Sequence, residues 1–431
     1  MLPRFLILLG LATLILFGLH YYLFERTSRY LALGVSERRL LKITLGLLFA
    51  LVWTAMPLGR LLTMDGARPL FYAAFIWLGC LVMMSLGLFI GDLVRWLSAL
   101  APMDAERRLL LTRTVGQASL GLGGVLSGYA LFQGLRSVAV KRVEVPVAGL
   151  PRSLDGLRIV QITDVHIGPT LRGAWLRRVV ETINGLNPDL VAITGDLVDG
   201  PVAALRPHVA VLGELKSRHG TFFVTGNHEY YAGANEWIAE LRRLGLQVLR
   251  NERVSLVHDQ AAPTESSLDI AGVDDFHSHS FPGHGPDLAR AVNGRDRGRP
   301  LVLLAHQPAQ IHEAAEHGVT LQLSGHTHGG QLWPWGYFVR LQQPFVAGLH
   351  RIGQTLLYVS CGTGYWGPPM RLNAPAEITE LCLRSSSDSS SDSSPASASS
   401  KPVGATLSES LTARRKVEYG VVSCALTQSP S

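Results

Sequence analysis

Cysteine is scarce in this chain of 431 residues: Cys80, Cys361, Cys382 and Cys424 are the four, and they form no Cys-x-x-Cys pair. That spacing excludes a zinc ribbon and gives no disulfide framework. Charge is thin as well. Aspartate, glutamate, lysine and arginine make up 17% of the chain, and the excess of 39 basic over 33 acidic residues is scattered along it. Without a concentrated basic stripe, nucleic-acid binding is not favoured. Hydrophobic residues reach 47% and mean hydropathy is +0.21, a balance that leans from a wholly cytosolic protein towards the bilayer. At about 100 to 200 residues per domain, the length suggests two or three folded units.

The first unit, residues 1–142, reads as a transmembrane anchor region and makes the lipid bilayer the first expected partner. Phe5 to Phe24 carries no formal charge, and its 20 residues are long enough for about 30 Å of hydrocarbon. Tyr21 and Tyr22 close the run as an interfacial belt. A cleaved signal peptide is the competing reading, but the stretch is long for one and no small-residue cleavage site precedes Glu25-Arg26. Further helices are expected over 40–58, 70–90 and 114–135, the last with Gly124-x-x-x-Gly128, a spacing that lets membrane helices approach closely. A buried soluble helix is the alternative for that fourth stretch. Nine basic residues lie in the first and third loops against six on the other side. An integral, multi-pass protein with both termini and its catalytic domain on the non-cytoplasmic face is therefore expected.

From 143 to 384 short β-branched runs alternate with helical stretches. Strands are expected at 157–163, 190–194, 221–225, 268–271, 301–305, 319–323, 355–360 and 378–383, and helices at 174–186 and 234–244. That order suggests an α/β or layered αββα domain. Residues 385–431 open with a Ser/Asp/Ala/Pro run and are expected to be a disordered tail.

Polar residues suited to metals follow directly on the apolar strands: Asp164 and His166, then Asp196 and Asp199, then Asn227-His228-Glu229, then His306, then His326 and His328. Hydrolysing a phosphate ester at neutral pH needs a hydroxide, neutralised phosphoryl oxygens and a stabilised leaving group. Two divalent ions about 3.5 to 4 Å apart can meet the first two needs together. Asp196 is the carboxylate suited to bridge them. Asp164 and His166 lie two apart, so both reach one side only if the backbone bends there. A donor set of nitrogen and oxygen without thiolate suits manganese, iron or zinc and argues against a structural zinc site. Taken alone, each of these residues reads more readily as a turn or a solvated pair; the ordered set carries the argument.

Asp164-x-His166, Gly195-Asp196-x-x-Asp199-Gly200, Gly226-Asn227-His228-Glu229, His306 and Gly325-His326-x-His328 resemble, in order, the signature of the calcineurin-like metallophosphoesterases. Phe222 to Tyr231, Ala271 to Asp275, Leu304 to Pro308 and Met370-Arg371-Leu372 are similar to its membrane-linked YkuE/YaeI-type branch, and the apolar first part fits the animal multi-pass arrangement. The resemblance covers about 157–383. It implies a four-layer αββα sandwich with a dimetal centre at the strand ends. One ion would be held by Asp164, His166, Asp196 and His328, the other by Asp196, Asn227, His306 and His326. His228 would serve at the leaving group as general acid or electrostatic stabiliser, oriented by Asp199. Glu229 departs from the aspartate of many relatives.

The expected activity is hydrolysis of a phosphorylated substrate by a hydroxide bridging two divalent ions, with a phospholipid or lipid-linked phosphate favoured. A nuclease or protein phosphatase of the same fold is the alternative within the enzymes, and a non-catalytic membrane scaffold the alternative outside them. Arg371 follows Pro368-Pro369 and is weighed evenly between a phosphate contact and a structural hydrogen bond. His277, His279 and His284 read as a solvated loop. Tyr230, Tyr231, Trp333, Trp335, Tyr337 and Trp366 are an aromatic supply suited to grip an acyl chain or head group, though core packing is the more common fate of such residues.

Overall fold

The computed structural model describes residues 2–59, 62, 64–261 and 266–386. Four long helices come first: α1 (Leu2–Tyr30), α2 (Val35–Gly59), α3 (Met64–Ser98) and α4 (Ala105–Leu135). Each outruns the apolar stretch that marked it, because helical hydrogen bonding continues through polar ends such as Arg107 and Arg108. Among the described residues, the segments Gly66–Ser98 and Ala105–Leu135 are long and apolar enough to cross a membrane. Helices α3 and α4 touch backbone to backbone: a Cβ on Gly123 would meet the Cα of Met84, and one on Gly87 the carbonyl of Ser119. The expected Gly124 and Gly128 face open space instead. They are rotated one residue, about 100°, from the packed stripe of Gly116, Ser119, Gly123 and Ser127. Away from the sheets, Asp92 of α3 accepts from Tyr22 and Tyr30 of α1 and pairs with Arg26 and Arg95.

The remainder is built on strands β1 (Ala139–Ala148), β2 (Arg158–Ile162), β3 (Leu190–Thr194), β4 (Thr221–Val224), β5 (Gln247–Val248), β6 (Glu252–Val257), β7 (Ser267–Gly272), β8 (Leu301–Leu304), β9 (Leu321–Ser324), β10 (Gly348–Ile352), β11 (Thr355–Val359) and β12 (Glu377–Ser386). They form two six-stranded sheets, ordered β1-β12-β2-β3-β4-β5 and β10-β11-β9-β8-β7-β6. Helices α5 (Gly173–Leu186), α6 (Val202–Val209), α7 (Asn227–Ala232) and α8 (Ala234–Arg243) follow strands of the first sheet; α9 (Leu288–Val292), α10 (Ile311–Glu316) and α11 (Gly336–Val339) lie among those of the second.

Strand periodicity explains the layering. In β2 and β3, Ile159, Leu190 and Ala192 face the second sheet and pack on Ile270, Val302, Leu304 and Leu323, while Val160, Ile162, Val191 and Ile193 face helices. Both faces are buried, as parallel strands between layers require. Helix α5 answers with Leu176, Val179, Val180 and Ile183, an i, i+3, i+4, i+7 stripe. Beyond the second sheet, α9 and α10 bury Leu288, Ala291, Ile311 and Ala314 against Leu301 and Leu303. Helix, sheet, sheet and helix are thus stacked in four layers. Strands β2, β3 and β4 run parallel, as do β8 and β9, so each set delivers its C-terminal loops to one edge, where α/β proteins place their chemistry.

The sheet domain begins at Ala139, four residues before the expected boundary, and β12 runs to Ser386, past the expected start of the tail; the rest of that tail, 387–431, lies outside the described residues.

Candidate metal centre

Loops leaving β2, β3, β4, β8 and β9 carry the expected donors into one place. Three groups of ligand atoms lie close enough to hold ions: Asp164, His166 and His328; Asp196, His306 and His326; and His166, Asp199 and His228. The backbone bend needed after β2 is present. Asp164 and His166 both adopt the left-handed conformation at φ 51°, and Asp196, His326 and His328 do the same at 51°, 68° and 51°. Left-handed backbone costs a non-glycine residue about 1 to 2 kcal/mol, and such strain gathers where function over-determines geometry. Gly325 is required for a different reason: a Cβ there would collide with the Asp164 carboxylate, and one on Gly226 with that of Asp196.

Hydrogen bonds behind two of the ligands, His306 and His166, orient their rings. His306 Nδ1 lies 2.7 Å from the Thr194 carbonyl and must donate to it, which turns Nε2 to Asp196 Oδ2 at 3.1 Å. His166 Nδ1 donates to Asp199 at 2.8 Å, which turns its Nε2 to His328 Nε2, 3.0 Å away. Asp196 Oδ2 is also 4.0 Å from both His166 Nε2 and His228 Nε2, which puts it between the first two groups. Asn227 Oδ1 and His328 Nδ1 are buried without a protein partner.

Ring nitrogens crowded onto one another beside carboxylates and an orphaned amide oxygen are what a cation resolves, and ring nitrogens anchored from behind on a carbonyl or carboxylate are the usual support of metal-binding histidines. The charge balance agrees. Burial disfavours a proton on His306, yet the carboxylates of Asp196, Asp164 and Asp275 outweigh it and hold the imidazole well above its ordinary range. The donor set therefore fits two divalent ions.

His228 is partly open, with 18% of its side chain exposed, as are Asn227, His326 and His328 among the ligands. Burial opposes its charge, but the 2.7 Å bond to Asp199 and the charges of Asp196 and Asp199 raise it to about 9. Asp199 is half-buried; desolvation opposes its charge, yet His166 and His228 pull it down to about 2. The exposed rings of Tyr231 and Trp366 meet His228 edge-on, at centroid distances of 5.6 and 5.7 Å.

Glu229 has a part that the motif order did not disclose. Its carboxylate is fully buried and accepts from four backbone N–H groups: Gly226 at 2.7 Å, Asp196 at 3.0 Å, Leu197 at 2.8 Å and Val198 at 3.3 Å. It ties the loop after β3 to the loop after β4. Burial and the Asp196 charge push it up to about 7, a repulsion that cations beside Asp196 relieve.

Arg371 is not placed to contact a phosphate. It is 1% exposed, and its guanidinium donates to the carbonyls of His328, Cys361, Gly362, Gly364 and Ala374. Its N–H groups are turned to backbone, so of the two roles weighed the structural one holds. His277, His279 and His284 bond separately to Gln307, Phe276 and Arg250. Of the six aromatics, Tyr230 joins the core while the other five are exposed.

Two helix-flanked sheets with such donors at their strand ends define a dimetal phosphoesterase centre. A family model described as calcineurin-like phosphoesterase matches residues 157–330. A transmembrane protein with metallophosphoesterase domain from Danio rerio is 39% identical over 320 residues, covering 72% of this chain and 73% of that protein. Its Bos taurus namesake is 42% identical over 293 residues, with 66% and 65% covered, and the metallophosphoesterase YkuE of Bacillus subtilis is 29% identical over 290 residues, with 65% and 98% covered. The chain belongs to the calcineurin-like metallophosphoesterases and is a metal-dependent phosphoesterase with a dinuclear divalent centre.

Proposed function

We propose that the protein is held in the membrane by α1–α4 as four spans and hydrolyses the phosphate ester of a phospholipid or lipid-linked substrate. The observation that carries the chemistry is the convergence of Asp164, His166, Asp196, His306, His326 and His328, with His166 and His306 anchored from behind on Asp199 and the Thr194 carbonyl. In this reading Asp164, His166, Asp196 and His328 hold one ion, and Asp196, Asn227, His306 and His326 the other. Bound there, the ions generate a nucleophile from water and neutralise the phosphoryl oxygens. His228 is the imidazole a substrate meets. Asp199 fixes its Nδ1–H, so the protonated ring offers its Nε2–H to the departing oxygen as general acid or electrostatic stabiliser.

The anchor is supported by the two helices apolar enough to cross a membrane and by the names of the animal relatives. Basic residues concentrate in the loops at the far end of the bundle, which favours a catalytic domain outside the cytoplasm. Anchoring raises the effective concentration of lipid headgroups at the centre, which is the argument for a lipid substrate.

The test uses the full chain, stripped of metal and reloaded with manganese. Two ions per chain and metal-dependent hydrolysis of bis-p-nitrophenyl phosphate are expected, both lost in Asp196→Asn. Fewer than two ions, or a variant that binds as many as the parent, refutes the assignment. Faster cleavage of single-stranded DNA than of vesicle-borne phospholipid would refute the substrate class.

A further inference from the structure

The segment from Trp366 to Leu372 touches both the helical bundle and the metal centre. On the bundle side, the Arg371 backbone N–H donates to the Ala130 carbonyl of α4 at 2.9 Å. The Met370 side chain fills the space over Gly79 of α3, and the Pro369 carbonyl lies where a Cβ on Gly134 of α4 would stand. On the centre's side, the Arg371 guanidinium holds the His328 carbonyl and the Trp366 ring meets His228.

A second segment is bound to the first. The Gln331 side chain exchanges hydrogen bonds with the Trp366 backbone and donates to the Pro368 carbonyl, Leu372 N–H donates to the Gln331 carbonyl at 2.8 Å, and Trp333 N–H to the Leu372 carbonyl at 3.1 Å. Just beyond that anchorage the chain exposes Trp335 (61%), Tyr337 (64%), Phe338 (56%) and Leu341 (81%), and α11 buries none of its residues. With Tyr231 and Trp366 at His228, they form an apolar, aromatic rim of a kind that marks an interaction surface.

The helices fix the level of that rim. The polar start of α4 ends at Arg113, and about 20 residues traverse a hydrocarbon core, which brings its far boundary to the turns carrying Ala130 and Gly134. Those turns also expose Tyr129, Phe132 and Leu135. Counted back from Asp92 of α3, a run of about that length passes Gly79 before it ends. Tryptophan and tyrosine belong at this boundary, where the ring is half apolar and half polar.

We infer that the rim of Trp335, Tyr337, Phe338, Leu341, Tyr231 and Trp366 sits in the headgroup layer of the membrane that α1–α4 cross, so that the centre opens onto the bilayer surface and takes phosphate esters from lipids still embedded in the leaflet. This rests on the anchored-phosphoesterase reading above and adds the surface and the route of entry.

The test places the full chain in phosphatidylcholine vesicles and compares it with the triple variant Trp335→Ser, Phe338→Ser, Leu341→Ser, whose positions are exposed and outside the centre. Losing three interfacial side chains should lower turnover of a vesicle-borne phosphodiester about tenfold while bis-p-nitrophenyl phosphate turnover stays within about twofold. Vesicles with acyl chains brominated near the headgroup should quench the fluorescence that Trp335 contributes, read as the difference between the parent and Trp335→Phe. An unchanged ratio of the two activities, or Trp335 emission indifferent to bromine, overturns the inference; the latter with intact lipid turnover would assign the rim to a protein partner. Failure of the underlying reading shows elsewhere: release of the chain by alkaline carbonate removes the anchor and the inference with it, and an inert parent on both substrates removes the enzyme.

Discussion

Replacing Glu229 by glutamine changes no volume and removes one acceptor group from a buried carboxylate that serves four backbone donors. However the amide is turned, its NH2 faces two N–H groups that the carboxylate oxygen had satisfied. A buried donor left unpaired costs about 1 to 3 kcal/mol, so the pair costs about 2 to 6 kcal/mol. At about 2 to 4 °C per kcal/mol in a domain of this size, Tm should fall by about 5 to 20 °C. The local effect should be sharper still, because the Asp196 N–H is one of the four donors and Asp196 stands in the left-handed conformation. Support from behind a metal ligand is worth about 10- to 100-fold in affinity, and Glu229→Gln should lose metal by that factor. The assay is thermal unfolding of the detergent-solubilised full chain at pH about 8, where a group of pKa near 7 is ionised, with metal affinity measured by chelator competition. A variant that melts with the parent and binds both ions equally well would show that the four contacts do not hold the loops.

Asp199→Asn withdraws the charge shared by His166 and His228; metal affinity should fall about 10- to 100-fold, and the pKa of His228 should drop from about 9, both visible by titration with NMR detection. Arg371→Lys replaces a planar fork by a point charge and strands several buried carbonyls, so a loss of about 2 to 5 kcal/mol is expected in the unfolding of the full chain, with turnover of soluble and lipid substrates falling together. In metal-free protein, the His228 pKa of about 9 lies above its unfolded value of 6.5, so its stabilisation is complete below pH 6.5 and disappears as pH rises through about 9. His228→Gln should flatten that part of the Tm profile. Reloading with an ion at about 100 times its Kd should add about 2.7 kcal/mol of stability, read as a rise in Tm over the chelated protein.

The strands that form the inner layers were legible because they are short, apolar and ended by turns: β3 matches its expected span, and β2, β4 and β8 differ by a residue or two at their ends. The strands that escaped notice lie at or next to the sheet edges. Strand β1 carries Lys141, Arg142 and Pro146, and only its partner β12 makes it a strand; β6 and β10 are half-exposed and read as loop. In the site, the order of donors after successive strands carried enough information to predict the cluster. The roles of Glu229 and Arg371 did not follow, since both act on backbone atoms of loops distant in sequence, and no pattern of side chains records which amides and carbonyls need a partner. Likewise the apolar runs revealed the helices, while the faces that touch were set by rotation about each axis.

The hydrogen bond from the Arg371 amide to the Ala130 carbonyl, with Met370 lodged over Gly79, bears on how this molecule can be dissected. A soluble fragment beginning at β1 would leave that amide without its acceptor and bare the methionine next in the chain to the arginine that braces His328. Such a truncation is a mutation of the catalytic loop, and a sluggish fragment would say little about the speed of the intact enzyme.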